Sequence, residues 1–374
     1  MPHPPPAVDD DMLRVAREFF PNLTAADAVP GHPDILRVAT PEGPRRVHRW
    51  PPTATEAEVA FGHEVMAAAK DAGAALVPAI VGEPEDPVLR RDGRLYDAQE
   101  WLPGSPPARA QVAWPEPKDW IDVPVSISPA QFSQIITALA LFHEATTSLA
   151  ARPGIPAAPL SMLPGAVRQA HERHLAALRS RARREPAIQR WLATGERLLA
   201  SAEPIVSEAT RGQRLPTSVL HLDLWPAHVL IDDGAVVGLL GWGRVAAGSP
   251  PLDLAQATLR LQGWSDEAVE AMVGAYANVR PLSPDERRLL PAVAALDAVA
   301  TTGRLLEQTY AVAGTARPPT ALRAGIDAML RSLSALERSL KTQAAVGKSK
   351  RTPWRRGPGP RQGREGGKAR ERRR

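Results

Sequence analysis

Residues 221–255 decide the fold of this chain, and they read HLDLWPAHVLIDDGAVVGLLGWGRVAAGSPPLDLA. A short loop at residues 221–228 follows an apolar strand. Asp233-Gly234 is a strong turn signal, so residues 229–232 and 235–241 are predicted to pair as a β-hairpin. Because the far end of a hairpin returns to its starting point, the loop and the end of the hairpin are expected to meet at one site.

Two side chains of this loop carry chemistry, the carboxylate of Asp223 and the imidazole of His228. Phosphoryl transfer needs a group that orients the attacking hydroxyl and cations that neutralise the phosphates. A carboxylate and a candidate metal ligand beside a returning hairpin suit that reaction. The simpler alternatives are an aspartate that accepts hydrogen bonds from backbone amides and a histidine that is hydrogen-bonded within the loop.

The spacing of the whole stretch resembles the active-site segment of the aminoglycoside and macrolide phosphotransferases, small-molecule relatives of the protein kinases. That family reads roughly His-Gly-Asp-x-x-x-x-Asn, a hairpin, Ile-Asp-Trp/Phe/Leu, and Gly-Asp-Pro-x-x-Asp-Leu-Ala. This chain matches every interval with His221-Leu222-Asp223, His228, the hairpin, Leu240-Gly241-Trp242 and the run 248–255. The resemblance implies a two-lobed, protein-kinase-like α+β fold with a small β-rich N-lobe and a larger helical C-lobe.

The resemblance also implies a function and its residues. It implies an ATP-dependent phosphotransferase that uses ATP with Mg²⁺ and acts on a hydroxyl of a small molecule. Asp223 takes the place of the catalytic aspartate, whose positioned general-base help is worth about 10²–10⁴-fold in rate. His228 takes the place of a metal-binding asparagine, where the macrolide phosphotransferases also carry histidine. Asp253 matches a family position too, and it is expected to cap the helix that begins near Leu254.

Two positions depart from the family pattern and make the metal-binding motif degenerate. Gly241 stands where the family has an aspartate that binds the phosphates through Mg²⁺, and glycine offers no ligand. Leu222 replaces a family glycine beside the catalytic aspartate. The alternative function is therefore a catalytically impaired, pseudokinase-like member that binds a nucleotide or small ligand. If the rest of the site is intact, Gly241→Asp is expected to create or raise ATP hydrolysis.

The sequence before this stretch predicts a small β-rich lobe. Strands are predicted at Ala25–Val29, Ile35–Thr40, Arg45–Trp50, Val77–Val81 and Arg94–Trp101, with a helix at residues 55–72. Asp92-Gly93 is a hairpin turn signal, and the Pro- and Gly-rich residues 102–107 are the predicted linker. The predicted boundaries are a disordered N-terminus at 1–11, an N-lobe at 12–104, a C-lobe at 105–342 and a disordered basic tail at 343–374.

The nucleotide side of the site is implied by resemblance alone. Arg49 matches the strand residue that holds the phosphates, although an arginine on a surface strand needs no special role. Glu64 is its candidate helix partner, and a shift of one or two residues places Gly62 there instead. Glu100, Trp101 and Leu102 resemble the hinge whose backbone meets adenine.

After the linker the pattern becomes mostly helical. Ser128-Pro129 is an N-cap followed by a proline at the first helical position. Ser283 and Glu286 form a capping box, and residues 320–341 predict a final amphipathic helix. His143, in the first of these helices, is expected to be a buried core histidine.

The charge of the chain is divided unevenly. The chain carries +5 in total, and residues 348–374 hold 12 basic and 2 acidic residues, which is +10 and leaves −5 on residues 1–347. Such a tail is able to contact nucleic acid or an anionic membrane surface through phosphate groups. The alternative is a solvated, disordered extension.

Composition excludes several classes of protein. The chain has no cysteine, so disulfides, thiol nucleophiles and cysteine-based metal sites are excluded, which fits a reducing cytoplasm. Residues 1–11 lack the basic and apolar regions of a signal peptide. No apolar run approaches the ~20 residues of a membrane helix. We therefore expect a cytoplasmic protein without a membrane span, whose partners are a nucleotide and a small-molecule substrate.

Overall fold

Residues 8–30, 32–81, 87–114, 120–211, 215–311 and 318–349 are described in the structure, a computed structural model. The N-lobe is built on a six-stranded antiparallel sheet. Its strands are β1 (Ala25–Val29), β2 (His32–Thr40), β3 (Gly43–Arg49), β4 (Ile80–Val81), β5 (Val88–Arg91) and β6 (Arg94–Glu100). They lie in the order β1-β2-β3-β6-β4, and β5 also pairs with β6.

Both predicted Asp-Gly hairpin turns are confirmed. Asp92 and Gly93 have φ values of 48° and 73°, and Asp233 and Gly234 have 45° and 79°. Two successive positive φ values are what a tight two-residue hairpin requires, because that turn matches the twist of the flanking strands.

Helix α1 (Asp10–Phe19) covers one face of the sheet. It begins at Asp9, whose side chain accepts hydrogen bonds from the first amides of the helix. Its buried side chains form a small apolar cluster with residues of β2, β3 and β6. That cluster consists of Met12, Val15, Ala16, Leu36, Val38, Val47 and Tyr96.

Helix α2 (Glu56–Asp71) connects the two lobes through its packing. A capping box between Thr55 and Glu58 fixes its start, which confirms the predicted helix. Its buried Phe61, Val65 and Met66 belong to the same apolar core as the helices of the C-lobe. The main core is therefore continuous from one lobe to the other.

The larger C-lobe is mainly helical. Its helices are α3 (Pro129–Ala145), α4 (Thr147–Ala150), α5 (Leu163–Leu178), α6 (Pro186–Thr210), α7 (Pro251–Leu261), α8 (Asp266–Ala277), α9 (Pro284–Leu306) and α10 (Thr320–Ser349). Helix α9 lies at the centre and contacts α5, α6, α7 and α10. The helix starts predicted at Ser128 and Ser283 are confirmed, since both serines accept from the third amide of their helix.

Short strands accompany the helices of the C-lobe. They are β7 (Gln111–Ala113), β8 (Trp120–Asp122), β9 (Ala157–Ala158), β10 (Ser218–Leu220), β11 (Val229–Asp232), β12 (Ala235–Leu239) and β13 (Ala246–Gly248). Strands β11 and β12 form the predicted hairpin. Strand β10 pairs antiparallel with β13, with Leu220 opposite Ala246. The start of the loop after β10 therefore lies close to the start of β13, where the chain returns from the hairpin.

Helix α9 and its π-helical extension, together Pro284–Ala311, are long and apolar enough to cross a membrane. However, 83% of the most apolar window of this segment is buried inside the protein, as in a core helix. In the described part of the chain, no other helix meets this criterion.

The structure describes only part of the two chain ends for which disorder was predicted. Helix α10 continues to Ser349, beyond the predicted end at residue 341. Residues 1–7 and 350–374 lie outside the described residues. The predictions of a disordered N-terminus and of a disordered basic tail that contacts anionic partners remain predictions for those segments.

Candidate active site

Asp253 fixes the backbone of the loop that carries Asp223. Its Oδ2 accepts a hydrogen bond from the amide of His221 at 2.6 Å, and its Oδ1 accepts from the amide of Leu222 at 2.8 Å. The predicted role as a helix cap is wrong, because the N-cap of α7 is Pro250 and Asp253 lies inside the first turn. Its carboxylate binds the loop instead of its own helix.

The environment of Asp253 keeps it ionised. The side chain is buried, and Nε2 of His143 lies 3.1 Å from Oδ2. Burial alone would raise the pKa of Asp253, but the hydrogen bonds from His143 and from the His221 amide hold it below its usual range. His143 is fully buried and also contacts the hydroxyl of Tyr276 at 3.0 Å, which confirms the predicted core histidine.

Leu222 retains a backbone conformation that favours glycine. Its φ is 61°, in the left-handed region, where a residue with a Cβ is strained. Leu222 stands at a position where the resembling sequences carry glycine, so a residue with a Cβ holds the left-handed conformation here. The hydrogen bond from the Leu222 amide to Asp253 helps to hold that conformation.

Asp223 lies at a cleft between the lobes with a volume of about 520 Å³. Its side chain keeps 22% of its surface exposed, and its Oδ1 lies 3.8 Å from Nη1 of Arg244. Arg244, which was not predicted, follows the end of the hairpin and has a largely exposed side chain. The cleft is also lined by Arg46, His63 and His228.

His228 is oriented by the same loop. Its Nδ1 donates a hydrogen bond to the backbone carbonyl of Asp223 at 2.6 Å, so Nε2 is left with the lone pair in the neutral ring. A hydrogen bond of this kind is how proteins fix the tautomer of a metal-binding histidine. The imidazole is a hydrogen-bonded part of the loop, and its role as a metal ligand remains a prediction.

The imidazole of His228 fills the space where a side chain at position 241 would begin. A Cβ on Gly241 would lie 2.5 Å from Nδ1 and 3.0 Å from Cε1 of His228. The φ of Gly241 is 87°, which also disfavours any residue with a Cβ. The glycine and the histidine therefore depend on each other sterically.

The residues present do not fit the Mg²⁺ site that the sequence resemblance implies. Gly241 supplies no ligand, and Asp223 with His228 offers one carboxylate and one nitrogen, whereas Mg²⁺ prefers oxygen. Among the described residues, no group of three His, Cys, Asp or Glu side chains could hold a metal ion. Arg46 and Arg244 bring positive charge to this cleft that can meet phosphate groups instead.

On the N-lobe side, the structure brings Arg46 rather than Arg49 to the cleft. Successive residues of β3 point to opposite faces of the sheet. Arg49 lies on the outer face, where its guanidinium donates to Asp34 at 2.7 Å and to Asp9 at 2.8 Å. Arg46 lines the cleft, and its Nε is buried without a hydrogen-bond partner. The prediction of Arg49 as a phosphate ligand therefore has no support from its position.

The predicted partner of the arginine was Glu64 on helix α2, but the neighbouring residue His63 lies at the cleft instead. Glu64 points away from the cleft and pairs with Arg152 at 2.5 Å. His63 lines the cleft instead, and its Nε2 contacts Oδ2 of the buried Asp97 at 2.7 Å. Nδ1 of His48 lies 3.6 Å from the other oxygen of Asp97. Burial would raise the pKa of Asp97, but these two histidines hold it far below its usual range.

The predicted hinge residues lie outside the residues that line this cleft. Glu100 binds Lys70 at 2.8 Å and accepts from the amide of Ala79. Trp101 stacks under the guanidinium of Arg37, and Leu102 is buried against Gly238. Their side chains therefore support the lobe junction, and a contact to adenine through their backbone remains a prediction.

Gly241→Asp is expected to destabilise the protein by about 2–4 kcal/mol and not to raise ATP hydrolysis. The new Cβ would overlap His228, and the left-handed backbone adds strain. The double variant His228→Asn/Gly241→Asp removes the overlap and should recover part of that loss. Urea unfolding measures the free energies, and the single substitution His228→Asn is the control. A Gly241→Asp variant as stable as the wild type would contradict the steric dependence.

Comparison with known proteins places the chain among phosphotransferases. The family model described as "APH: Phosphotransferase enzyme family" matches residues 32–292, which is more than half of the chain. A homoserine kinase of Neisseria meningitidis serogroup B is 34% identical over 88 residues. The match covers 21% of this chain and 28% of that kinase, so the chain spans under a third of the length of this relative.

Solved structures of phosphotransferases share the fold. An aminoglycoside phosphotransferase from Alicyclobacillus acidocaldarius is 18% identical and superposes with a TM-score of 0.62, covering 92% of this chain and 98% of that one. Spectinomycin phosphotransferase, in complex with ADP and spectinomycin, is 11% identical with a TM-score of 0.57, covering 93% and 100%. The predicted two-lobed, protein-kinase-like α+β fold is confirmed.

Proposed function

Because the chain belongs to the phosphotransferase enzyme family, we propose that it transfers the γ-phosphoryl group of ATP to a hydroxyl of a small molecule. The observation that carries the proposal is the placement of Asp223. Its carboxylate is half-buried at the interlobe cleft, on a loop whose backbone is fixed by Asp253. A positioned carboxylate beside a cleft is the group that orients an attacking hydroxyl.

In the proposed reaction, the substrate hydroxyl donates a hydrogen bond to Asp223. Its oxygen attacks the γ-phosphorus of ATP, the bond from that phosphorus to the ADP oxygen breaks, and the hydroxyl proton passes to Asp223. The products are the phosphorylated substrate and ADP. Arg244, 3.8 Å from the carboxylate, is placed to meet charge on the transferring group.

The donors on the N-lobe side of the cleft suit the phosphates of ATP. Nε of Arg46 and Nε1 of Trp50 are buried without hydrogen-bond partners, and both residues line the cleft. A buried donor without a partner costs about 1–3 kcal/mol, so phosphate oxygens would complete these groups. Arg46 takes the role that the sequence assigned to Arg49.

The second candidate function is a catalytically impaired protein that binds a nucleotide or small ligand. The close packing of His228 against Gly241 favours it, because the position that binds metal in the family has no room for a side chain. Incubation with ATP and a panel of hydroxyl compounds separates the two functions. The panel contains aminoglycosides, spectinomycin and homoserine, and mass spectrometry detects the gain of one phosphoryl group. ATP binding without any phosphorylated product or ATP consumption would favour the impaired protein.

ATP binding is expected to depend on Arg46 and not on a divalent metal. Arg46→Gln should weaken it by about 10- to 100-fold, since a hydrogen bond to a charged group contributes about 1.5–3 kcal/mol. Arg49→Gln, on the outer face of the same strand, is the matched control and should leave the affinity unchanged. Calorimetric titrations with Mg²⁺ and with EDTA measure both effects. An affinity about tenfold or more higher with Mg²⁺ would mean that Asp223 and His228 bind metal after all.

A further inference from the structure

Two arginines contact the tryptophan of the loop that carries Asp223. The guanidinium carbon of Arg260 lies 4.4 Å from the centre of a Trp225 ring, and that of Arg304 lies 5.0 Å from it. Trp225 is buried and follows Asp223 by two residues. Because Arg260 belongs to α7 and Arg304 to α9, two separate helices bring cations to this loop.

Only one of these two cations is paired with a carboxylate among the described residues. Nη2 of Arg260 lies 3.3 Å from Oδ1 of Asp297, and Gln256 donates to the same oxygen at 3.0 Å. Nε and Nη1 of Arg260 are buried without a partner. Arg304 makes no hydrogen bond or ion pair within the ranges that the structure describes. Since uncompensated buried charge is strongly unfavourable, an anion bound directly at Arg304 would stabilise the pair.

The contact with Trp225 places Arg304 beside the loop that carries Asp223. Burial lowers the pKa of Arg304, and the charge of Arg260 lowers it further, whereas the carboxylates of Asp297, Asp122 and Asp223 act in the opposite direction. Arg304 is half-buried and keeps some contact with solvent. An anion from solution can therefore reach Arg304 at its contact with Trp225.

We propose that Arg304, supported by Arg260, binds the carboxylate of an acidic substrate. The hydroxyl of the same substrate donates a hydrogen bond to Asp223. The proposal rests on the phosphotransfer proposed above, and it names the substrate class as small hydroxy acids or hydroxy amino acids. The planar guanidinium matches the two oxygens of a carboxylate and is weakly hydrated. A polycationic substrate would meet two like charges at this place and be disfavoured.

The test compares ligands that differ in the carboxylate. The full-length protein is titrated by calorimetry with 4-hydroxybutyrate, with L-homoserine and with 1,4-butanediol, which carries a hydroxymethyl group instead of the carboxylate. Both acids should bind at least about tenfold more tightly than the diol, since that factor corresponds to about 1.4 kcal/mol. Arg304→Gln should abolish this preference. Arg304→Lys, which keeps the charge but not the planar fork, should reduce it.

Arg280→Gln is the matched control. Arg280 also lies over an aromatic ring, that of Tyr276 at 5.9 Å, but it is paired with Glu286 at 2.8 Å. Its replacement should leave the preference for acids unchanged. Thermal melts of each variant identify any that fail to fold, and the comparison of acids with diol on the wild type needs no variant.

Three results would overturn the subsite. They are equal binding of acids and diol by the wild type, no binding of either acid, and an unchanged preference in folded Arg304→Gln. Asp223→Asn should keep the preference for acids while losing turnover. Acid binding without any turnover in the wild type would therefore contradict the proposed phosphotransfer and leave the carboxylate subsite standing.

Discussion

Asp223→Asn is expected to lower the rate of phosphoryl transfer by about 10²–10⁴-fold, the usual contribution of a positioned general base. Asparagine has nearly the same shape, so the loop should remain in place through the hydrogen bonds of its backbone to Asp253. The amide can still contact the substrate hydroxyl, but it cannot take its proton. Because the change removes an interaction with the reacting group, kcat should fall while ATP affinity changes little.

The matched control is Asp232→Asn on the same β-hairpin. Asp232 is exposed near the tip of that hairpin, and its replacement should leave the rate unchanged. The measurement is ATP-dependent formation of the phosphorylated product of whichever hydroxyl compound the wild type turns over fastest. A variant Asp223→Asn that retains more than about a tenth of the wild-type rate would remove Asp223 from the proposed chemistry, because the expected loss is at least about 100-fold.

Asp253→Asn is expected to destabilise the fold by about 3–5 kcal/mol, the range for breaking a buried charged network. Three donors meet this carboxylate, from the amides of His221 and Leu222 and from the ring of His143. An amide has one accepting oxygen, so its NH₂ group would face at least one of these donors. Because the pKa of Asp253 is lowered by folding, its contribution is present at neutral pH. It is lost as the pH falls below the unfolded value of about 3.9.

Asp285→Asn provides the control for this loss. Asp285 also lies in the first turn of a helix, α9, but it is exposed. Its replacement should cost only about 0.3–1 kcal/mol through the helix dipole. Urea unfolding at neutral pH gives both free energies. Equal losses in the two variants would show that Asp253 contributes no more than an ordinary helix-terminal charge.

The sequence predicted the C-lobe side of the site better than the N-lobe side. The loop and hairpin between His221 and Gly241 are short and punctuated by an Asp-Gly turn, so their spacing determines where they meet. The contact between His228 and the space beside Gly241 depends on where the end of the hairpin lies relative to the loop. The number of residues between the two positions does not determine that distance. The role of Asp253 was misread for a similar reason, because its partners lie about 30 residues away in the chain.

On the N-lobe side, successive side chains of β3 point to opposite faces of the sheet, so Arg46 and Arg49 lie on different faces. The sequence already indicates which of the two faces the cleft. Val47 is the apolar residue of that strand and is buried against α1, so Arg49, two residues later, must lie on the same face and Arg46 on the other. The choice between His63 and Glu64 depends on the rotation of α2 about its own axis. Both residues fit an amphipathic pattern, and only packing against β6 places His63 beside Asp97.

The apolar core that runs through α2 has a consequence for how the protein unfolds and opens. Phe61, Val65 and Met66 are counted among the residues of the C-lobe core, so separating the lobes would expose apolar surface on both of them. Such an arrangement favours one cooperative unfolding transition over two. A chain cut at the linker would leave each fragment with half of a shared interior. We therefore expect access to the cleft to depend on local loop motion, and a ligand bound there to protect backbone amides of both lobes from hydrogen exchange.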